Sequence, residues 1–182
     1  CWSLVGSEMC IRDRLITVPD DTLRKISEPL NKVELNEKKL IKDLFETMYH
    51  HNGIGLAAVQ VGIHKRIIVL DVSKKDDEKN PLCFINPVIK KISQKTSIYE
   101  EGCLSIPNTF IEIERPKICT ISYVDQEGAK REMDCDGLLA TCIQHEINHL
   151  DGKLIIDYLS KIKKDLIIKK LSKQKTSNRV VV

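Results

Sequence analysis

Apolar positions recur at helical spacing in three stretches of the chain, and at strand spacing between the first and second of them. Over residues 36–52, Leu40, Ile41, Leu44, Phe45, Met48 and Tyr49 fall on one helical stripe. Gly53 follows as the expected helix terminator. Residues 66–71, RIIVLD, form a short β-branched run that predicts a strand, and residues 74–79 form a charged loop. Residues 82–136 predict strands and turns. There, Ile118, Thr120, Ser122 and Val124 alternate with Cys119, Ile121 and Tyr123, and Asp125-Gln126-Glu127-Gly128 turns the chain into the next strand. A second helix is expected over residues 137–151, with Leu138, Leu139, Cys142, Ile143, Ile147 and Leu150 apolar and Gly152 just beyond its end. A third, over about residues 160–173, has Ser160 as its candidate N-cap. Its Ile162, Leu166, Ile167 and Leu171 are expected to face the body and its lysines to face water. Strands followed by packed helices, with no repeat and no linker, predict an α+β domain.

The 182 residues suit one domain with a real core. Residues 1–14, CWSLVGSEMCIRDR, show neither helical nor strand period and begin without Met. They are expected to be a non-native or disordered leader, since residues 8–14 back-translate into a sequencing adaptor. Residues 15–173 form the expected domain, and 174–182 a disordered tail. Pro19-Asp20-Asp21 is turn chemistry near the domain's start. Aromatics are only 4% of residues, so Ile, Leu and Val must build the core. No apolar run reaches the length that spans a bilayer, and no secretory signal pattern is evident. The expected compartment is the cytoplasm, without a membrane partner. Seven cysteines at irregular spacing, none in Cys-x-x-Cys, argue against a disulfide framework; most are expected as buried small apolar residues. The net charge of +3 is uneven. From Ser160 onward, eight Lys and Arg against one Asp give 8 − 1 = +7, leaving 3 − 7 = −4 for residues 1–159.

The chemistry concentrates in three segments. His145-Glu146-Ile147-Asn148-His149 puts two imidazoles four residues apart on one helix face, where both reach one metal ion. The Glu between them can move protons to and from a metal-bound water without binding the metal. Such a five-residue pattern arises by chance in roughly one chain in a hundred of this size. A hydrolytic metal site needs a third protein ligand, yet no His follows His149. Asp151 and Asp157 lie downstream, and His50, His51 and His64 lie elsewhere. Cys103, within Glu101-Gly102-Cys103-Leu104-Ser105, is the better candidate, and Gly102 before it permits close approach of another backbone. The third segment is GIGLAAVQ, residues 53–60. Taken alone it is a small-residue packing seam after a helix end; its Gln60 also offers an amide donor for a developing oxyanion.

In this order and spacing, GIGLAAVQ (53–60), EGCLS (101–105) and QHEINHLDG (144–152) resemble the three signature motifs of peptide deformylases. The resemblance covers about residues 15–172. It implies small antiparallel or mixed sheets packed around a central metal-binding helix, with a C-terminal helix. It implies removal of the N-terminal formyl group from formyl-methionine of nascent polypeptides, releasing formate. The metal falls to Cys103, His145 and His149, with an attacking water in the fourth position and Glu146 as general acid/base. Gln60 and the Leu104 backbone N–H surround the oxyanion. Gly55 pairs with the substrate backbone, while Ile54, Leu138, Thr141 and Cys142 line the pocket for the methionine side chain. Glu101 and Arg115 match positions that pair to brace the second motif. The implied cofactor is one divalent ion, commonly Fe²⁺, with Zn²⁺, Ni²⁺ or Co²⁺ as alternatives. A monomer is expected, and the basic C-terminal helix is expected to contact the ribosome. The family's third motif usually has Asp where this chain has Asn148, a neutral replacement within the metal-binding helix that puts full activity in question.

Two other readings suit the residues. One is a metallopeptidase cutting internal peptide bonds, which the missing downstream His and the EGCLS segment argue against. The other is a non-catalytic module stapled by a metal. Glu146 and formate release separate the three.

Overall fold

A computed structural model describes residues 15–74 and 77–177 of the chain. The expected leader at residues 1–14 and the end of the tail lie outside the described residues. Helix α1, Leu35–His50, and helix α2, Gly137–Leu150, flank a five-stranded antiparallel sheet. Its strands are β1 (Gly55–Ala57), β2 (Ile67–Leu70), β3 (Leu82–Ile92), β6 (Ile118–Val124) and β7 (Lys130–Asp136), hydrogen-bonded in the order β1-β2-β3-β6-β7. A separate hairpin of β4 (Thr96–Cys103) and β5 (Ile106–Pro116) stands apart from that sheet. The C-terminal helix α3 spans Lys161–Ser177. The architecture is the expected α+β one.

Strand periodicity explains how two helices share one sheet. Side chains alternate between faces. On β2, Ile68 and Leu70 pack with Phe84, Ile121 and the α2 residues Ala140, Ile143 and Ile147. Its neighbours Ile67 and Val69 pack with Leu40, Ile41, Leu44 and Met48 of α1. All four β2 side chains are fully buried, which is why this strand reads as an unbroken apolar run rather than an alternating one. Helix α2 is buried on nearly all sides, as a helix in the middle of a domain must be. The hairpin closes over its second face, where Cys103, Ile106, Ile111 and Ile113 join Leu23, Leu154 and Ile156 in a third cluster. Gln144, buried in α2, donates Nε2 to the Pro116 carbonyl at 2.9 Å and so ties the helix to the end of β5.

Four local expectations change. At the end of α1, Asn52 takes the left-handed conformation, with φ 55°, whereas Gly53 does not. Asn tolerates that region because its short polar side chain bonds locally. What approaches Gly102 is the Phe110 ring rather than another backbone: a Cβ there would lie 2.9 Å from the ring edge. In α3, Ile162 and Leu166 are exposed at 75% and 62%, while Ile167, Ile168 and Leu171 pack against the body. Positions 167, 168 and 171 form the i, i+1, i+4 stripe that meets the third cluster, and 162 and 166 lie on the opposite stripe. The helix also continues past the expected end at Lys173 to Ser177, with no Gly or Pro to stop it. Gly152 does end α2 as expected. Its φ is 71°, and a Cβ would fall 2.3 Å from the Arg24 carbonyl oxygen.

Asp157 anchors α3. It accepts from Arg24, from Lys164 Nζ at 2.5 Å and from the Leu154 N–H at 2.8 Å. Partial burial raises its pKa, but the hydrogen bonds from Arg24 and Lys164 outweigh this and lower it to about 2. The folded value lies below the unfolded value of about 4, so this stabilisation is present above pH ~4 and vanishes as pH falls towards 2. Asp157→Asn should therefore cost about 1 kcal/mol at pH 7, a modest figure because the carboxylate is partly solvated. Thermal melts of the two proteins should converge between pH 4 and pH 2; a constant gap would refute the assignment.

Candidate active site

The side chains of the three motifs lie on α2, on the hairpin or beside β1, and these elements meet around one cavity of about 680 Å³. Helix α2 projects His145 and His149 from one face, their Nε2 atoms 3.2 Å apart. Strand β4 ends at Cys103, whose Sγ lies 3.2 Å from His149 Nε2. The three donor atoms lie within 4.8 Å of one another. Ligand atoms 2.0–2.3 Å from one tetrahedral ion sit about 3.3–3.6 Å apart, so this spacing fits a divalent metal closely. Tautomer chemistry agrees. His145 Nδ1 bonds Glu101 Oε2 at 2.8 Å, which assigns a proton to Nδ1 and turns Nε2 towards His149. Burial keeps the pKa of His149 well below its ordinary value, which leaves that ring neutral with a lone pair to offer. Burial pulls His145 down as well, but its bonds with Cys103 and Glu101 outweigh this and raise it to about 10 without an ion, so a metal binding there would displace a proton. Among the described residues, Cys103, His145 and His149 are the group of ligating side chains with this convergence.

Glu146 sits on the same helix, 4% exposed, and lines the cavity. Its Oε2 has no hydrogen-bond partner among the described residues, and burial pushes its pKa up to about 7. A carboxyl that half-ionises near neutrality suits proton transfer in both directions. Gly55 on β1 makes room for it: a Cβ at Gly55 would lie 2.5 Å from Glu146 Oε1 and 2.8 Å from Leu70 Cδ2. Gly55→Ala should therefore displace the carboxylate and slow turnover by roughly 10²-fold, the usual cost of about 1 Å of misplacement, without loss of bound metal. Steady-state kinetics with metal analysis would check this; unimpaired turnover would mean that Glu146 tolerates displacement.

Gln60 is 1% exposed and held at both ends of its amide. Its Oε1 accepts from the Ala57 N–H at 2.8 Å, which aims Nε2 at Ser105 Oγ, 3.1 Å away, and at Cys103 Sγ, 3.8 Å away. Leu104 follows Cys103 at the cavity wall. Ile54, Leu138, Thr141 and Cys142 also line the cavity, the first two at its half-exposed mouth and the last two buried within. The other described cysteines, Cys83, Cys119 and Cys135, are free, buried thiols. His50 and His51 end α1, and His64 bonds the Thr22 carbonyl at 3.2 Å, away from the cluster.

Behind the cluster, Arg115 on β5 grips Glu101 with Nε at 2.5 Å and Nη2 at 3.0 Å. Burial alone would raise the Glu101 pKa, but the bonds from His145 and Arg115 outweigh it and hold the carboxyl below its ordinary value. Asn148 Oδ1 accepts from Arg115 Nη1 at 2.8 Å, so the neutral residue still supplies an acceptor to the guanidinium. Ser105 and Tyr158 join this shell without having been singled out by the sequence. Ser105 lies inside the second motif, where its contact with Gln60 is visible only in three dimensions. Tyr158 has no motif to mark it.

Comparison with known proteins agrees with this geometry. The family model for polypeptide deformylase matches residues 13–165. The chain belongs to the polypeptide deformylase family. The family is enzymatic and removes N-formyl groups from nascent peptides. The chain is 56% identical over 168 residues to a peptide deformylase of Pelagibacter ubique, covering 92% of this chain and 97% of that one. It is 51% identical over 159 residues to one of Rhizobium meliloti, covering 87% and 91%. The crystal structure of peptide deformylase from Ehrlichia chaffeensis superposes with a TM-score of 0.86 at 43% identity, covering 91% of this chain and 98% of that one. The same enzyme in complex with actinonin gives 0.84 at 45% identity, covering 88% and 95%. No helix among the described residues is long and apolar enough to cross a membrane.

Proposed function

We propose that the chain removes the formyl group from formyl-methionine of nascent polypeptides, with one divalent ion held by Cys103, His145 and His149. The observation that carries this reading is the convergence of those three donors on the wall of a cavity that also holds Glu146 and Gln60. When bound, the ion supplies Lewis acidity to the formyl carbonyl and to the attacking water.

The chain's own residues do the rest. Glu146 takes a proton from the water as its oxygen adds to the formyl carbon. Gln60 Nε2 and the Leu104 backbone N–H receive the charge that develops on the carbonyl oxygen. Glu146 then gives the proton to the amine nitrogen as the C–N bond breaks, and formate leaves. Gly55 offers its main chain to the peptide. Ile54, Leu138, Thr141 and Cys142 take the methionine side chain into a mainly apolar pocket. Glu101 and Arg115 brace His145 from behind, with Asn148 supporting the guanidinium. A thiolate with two imidazoles suits several first-row ions. We assign Fe²⁺, with Zn²⁺, Ni²⁺ and Co²⁺ as functional substitutes, and place the monomeric enzyme in the cytoplasm. The test compares a formylated Met tripeptide with its unformylated twin. Formate release from the first and no cleavage of either peptide bond is expected; peptide-bond cleavage without formate would favour the endopeptidase reading.

The ribosome is the proposed partner of α3, whose described lysines Lys161, Lys163, Lys169, Lys170 and Lys173 are exposed. Changing these to Gln should weaken co-sedimentation with ribosomes and flatten its salt dependence, while turnover of short peptides persists. Charge changes are preferable to truncation at Ser160, because truncation also strips Leu171 from the third cluster.

A further inference from the structure

Tyr158 ends the short 3₁₀ turn Ile155–Tyr158, and its side chain is half exposed. Its hydroxyl nevertheless reaches inward. It donates to Asn148 Oδ1 at 2.9 Å and accepts from Arg115 Nη1 at 3.1 Å. Arg115 Nη1 also donates to Asn148 Oδ1 at 2.8 Å, so the three groups close a ring of hydrogen bonds. A guanidinium can only donate, which fixes the amide with its oxygen towards Arg115. The Arg115 guanidinium carbon lies 5.1 Å from the centre of the Tyr158 ring, within cation–π range.

The far side of Arg115 leads to the ligand cluster. Its Nε and Nη2 hold both oxygens of Glu101, and Glu101 Oε2 accepts from His145 Nδ1. Arg115 is 4% exposed, so each N–H it buries needs an acceptor. Glu101 occupies one edge of the guanidinium. Nη1 is left to two neutral oxygens, those of Asn148 and Tyr158. Among the described residues Glu101 is the one anion that bonds Arg115. Its orientation rests on hydrogen-bond geometry and on the ring beneath it.

The geometry points to Tyr158 as a positioning residue of the metal centre: its hydroxyl and ring hold Arg115, through which Glu101 fixes the ring of His145. This rests on the ligand set proposed above. Tyr158 touches neither substrate nor metal. Its effect is on how firmly His145 is held, and hence on how fast a bound ion escapes.

Tyr158→Phe keeps the ring and deletes only the hydroxyl. Loaded with Co²⁺, it should release the ion to a chelator roughly 3- to 10-fold faster than wild type, a smaller effect than the 10- to 100-fold typical of groups that bond a ligand directly. The thiolate-to-cobalt absorption band should shift, and the metal-free melting temperature should stay close to wild type. Tyr158→Leu, which also removes the ring, should release faster still. Combining Tyr158→Phe with Asn148→Ala should cost less than the product of the separate factors, because both act through Nη1. Unchanged release and spectrum in Tyr158→Phe, or a lower melting temperature with unchanged release, would reduce Tyr158 to a structural residue and overturn the inference. Multiplying factors in the double variant would overturn the route through Arg115. A wild type without any thiolate band would instead refute the ligand set itself, and this inference with it.

Discussion

Glu146→Gln is expected to keep its metal and to release formate roughly 10²- to 10⁴-fold more slowly than wild type. The substitution changes almost nothing in shape. Glu146 is 4% exposed, Gly55 closes against one of its oxygens, and the other has no partner among the described residues. An amide fits the same space but cannot accept and return a proton. Formamide is a poor electrophile and its amine a poor leaving group, so both proton transfers matter. The proposed ligands Cys103, His145 and His149 are untouched, and metal content should match wild type. Metal analysis beside formate release separates the roles. Near-normal turnover would remove Glu146 from the mechanism, whereas loss of metal would make it a ligand.

Cys103→Ala is expected to weaken metal binding by about 10²- to 10³-fold, if ~10 kcal/mol of binding is shared among three ligands. Activity should fall with metal content and return only in part at high metal concentration. The thiol is largely buried and faces His149 Nε2 and Gln60 Nε2, so its removal takes one acceptor from the Gln60 amide, which Ala57 and Ser105 still hold. Fold loss is a separate matter. The deleted sulfur opens a small space beside Ile106 and Ile113, and the metal-free variant should melt near wild type. Competition with a chelating dye gives the affinity directly. Undiminished affinity would mean that another side chain completes the site.

The sequence shows some of this architecture openly. Helix α2 was legible because its two histidines and its apolar positions share one period. Strand β2 was legible because burial on both faces makes it continuously apolar. The facing of α3 was not. Its apolar residues fall on two stripes, and only the position of the third cluster decides which one packs. The detachment of β4 and β5 from the main sheet was equally hidden, since it follows from β3 pairing with β6, as in Ile85 with Val124, across the intervening hairpin. In the site, the residues of the three motifs do meet: the hairpin brings Cys103, and the β1 edge brings Gly55 and Gln60, to the histidines of α2. The support of Asn148 was illegible. A change from the usual Asp reads as a lost charge, yet its oxygen still receives Arg115 and Tyr158. Neither partner is near it in sequence.

The central claim is that one ion on Cys103, His145 and His149 makes this cavity a deformylase. Anaerobic protein stripped of metal and then titrated with Fe²⁺ tests it most directly, with formate release from a formyl-Met peptide followed at each addition. The account predicts no release at zero metal, a linear rise to one ion per chain, and a plateau beyond. Formate release from fully stripped protein, or none from protein holding one ion per chain, would contradict it.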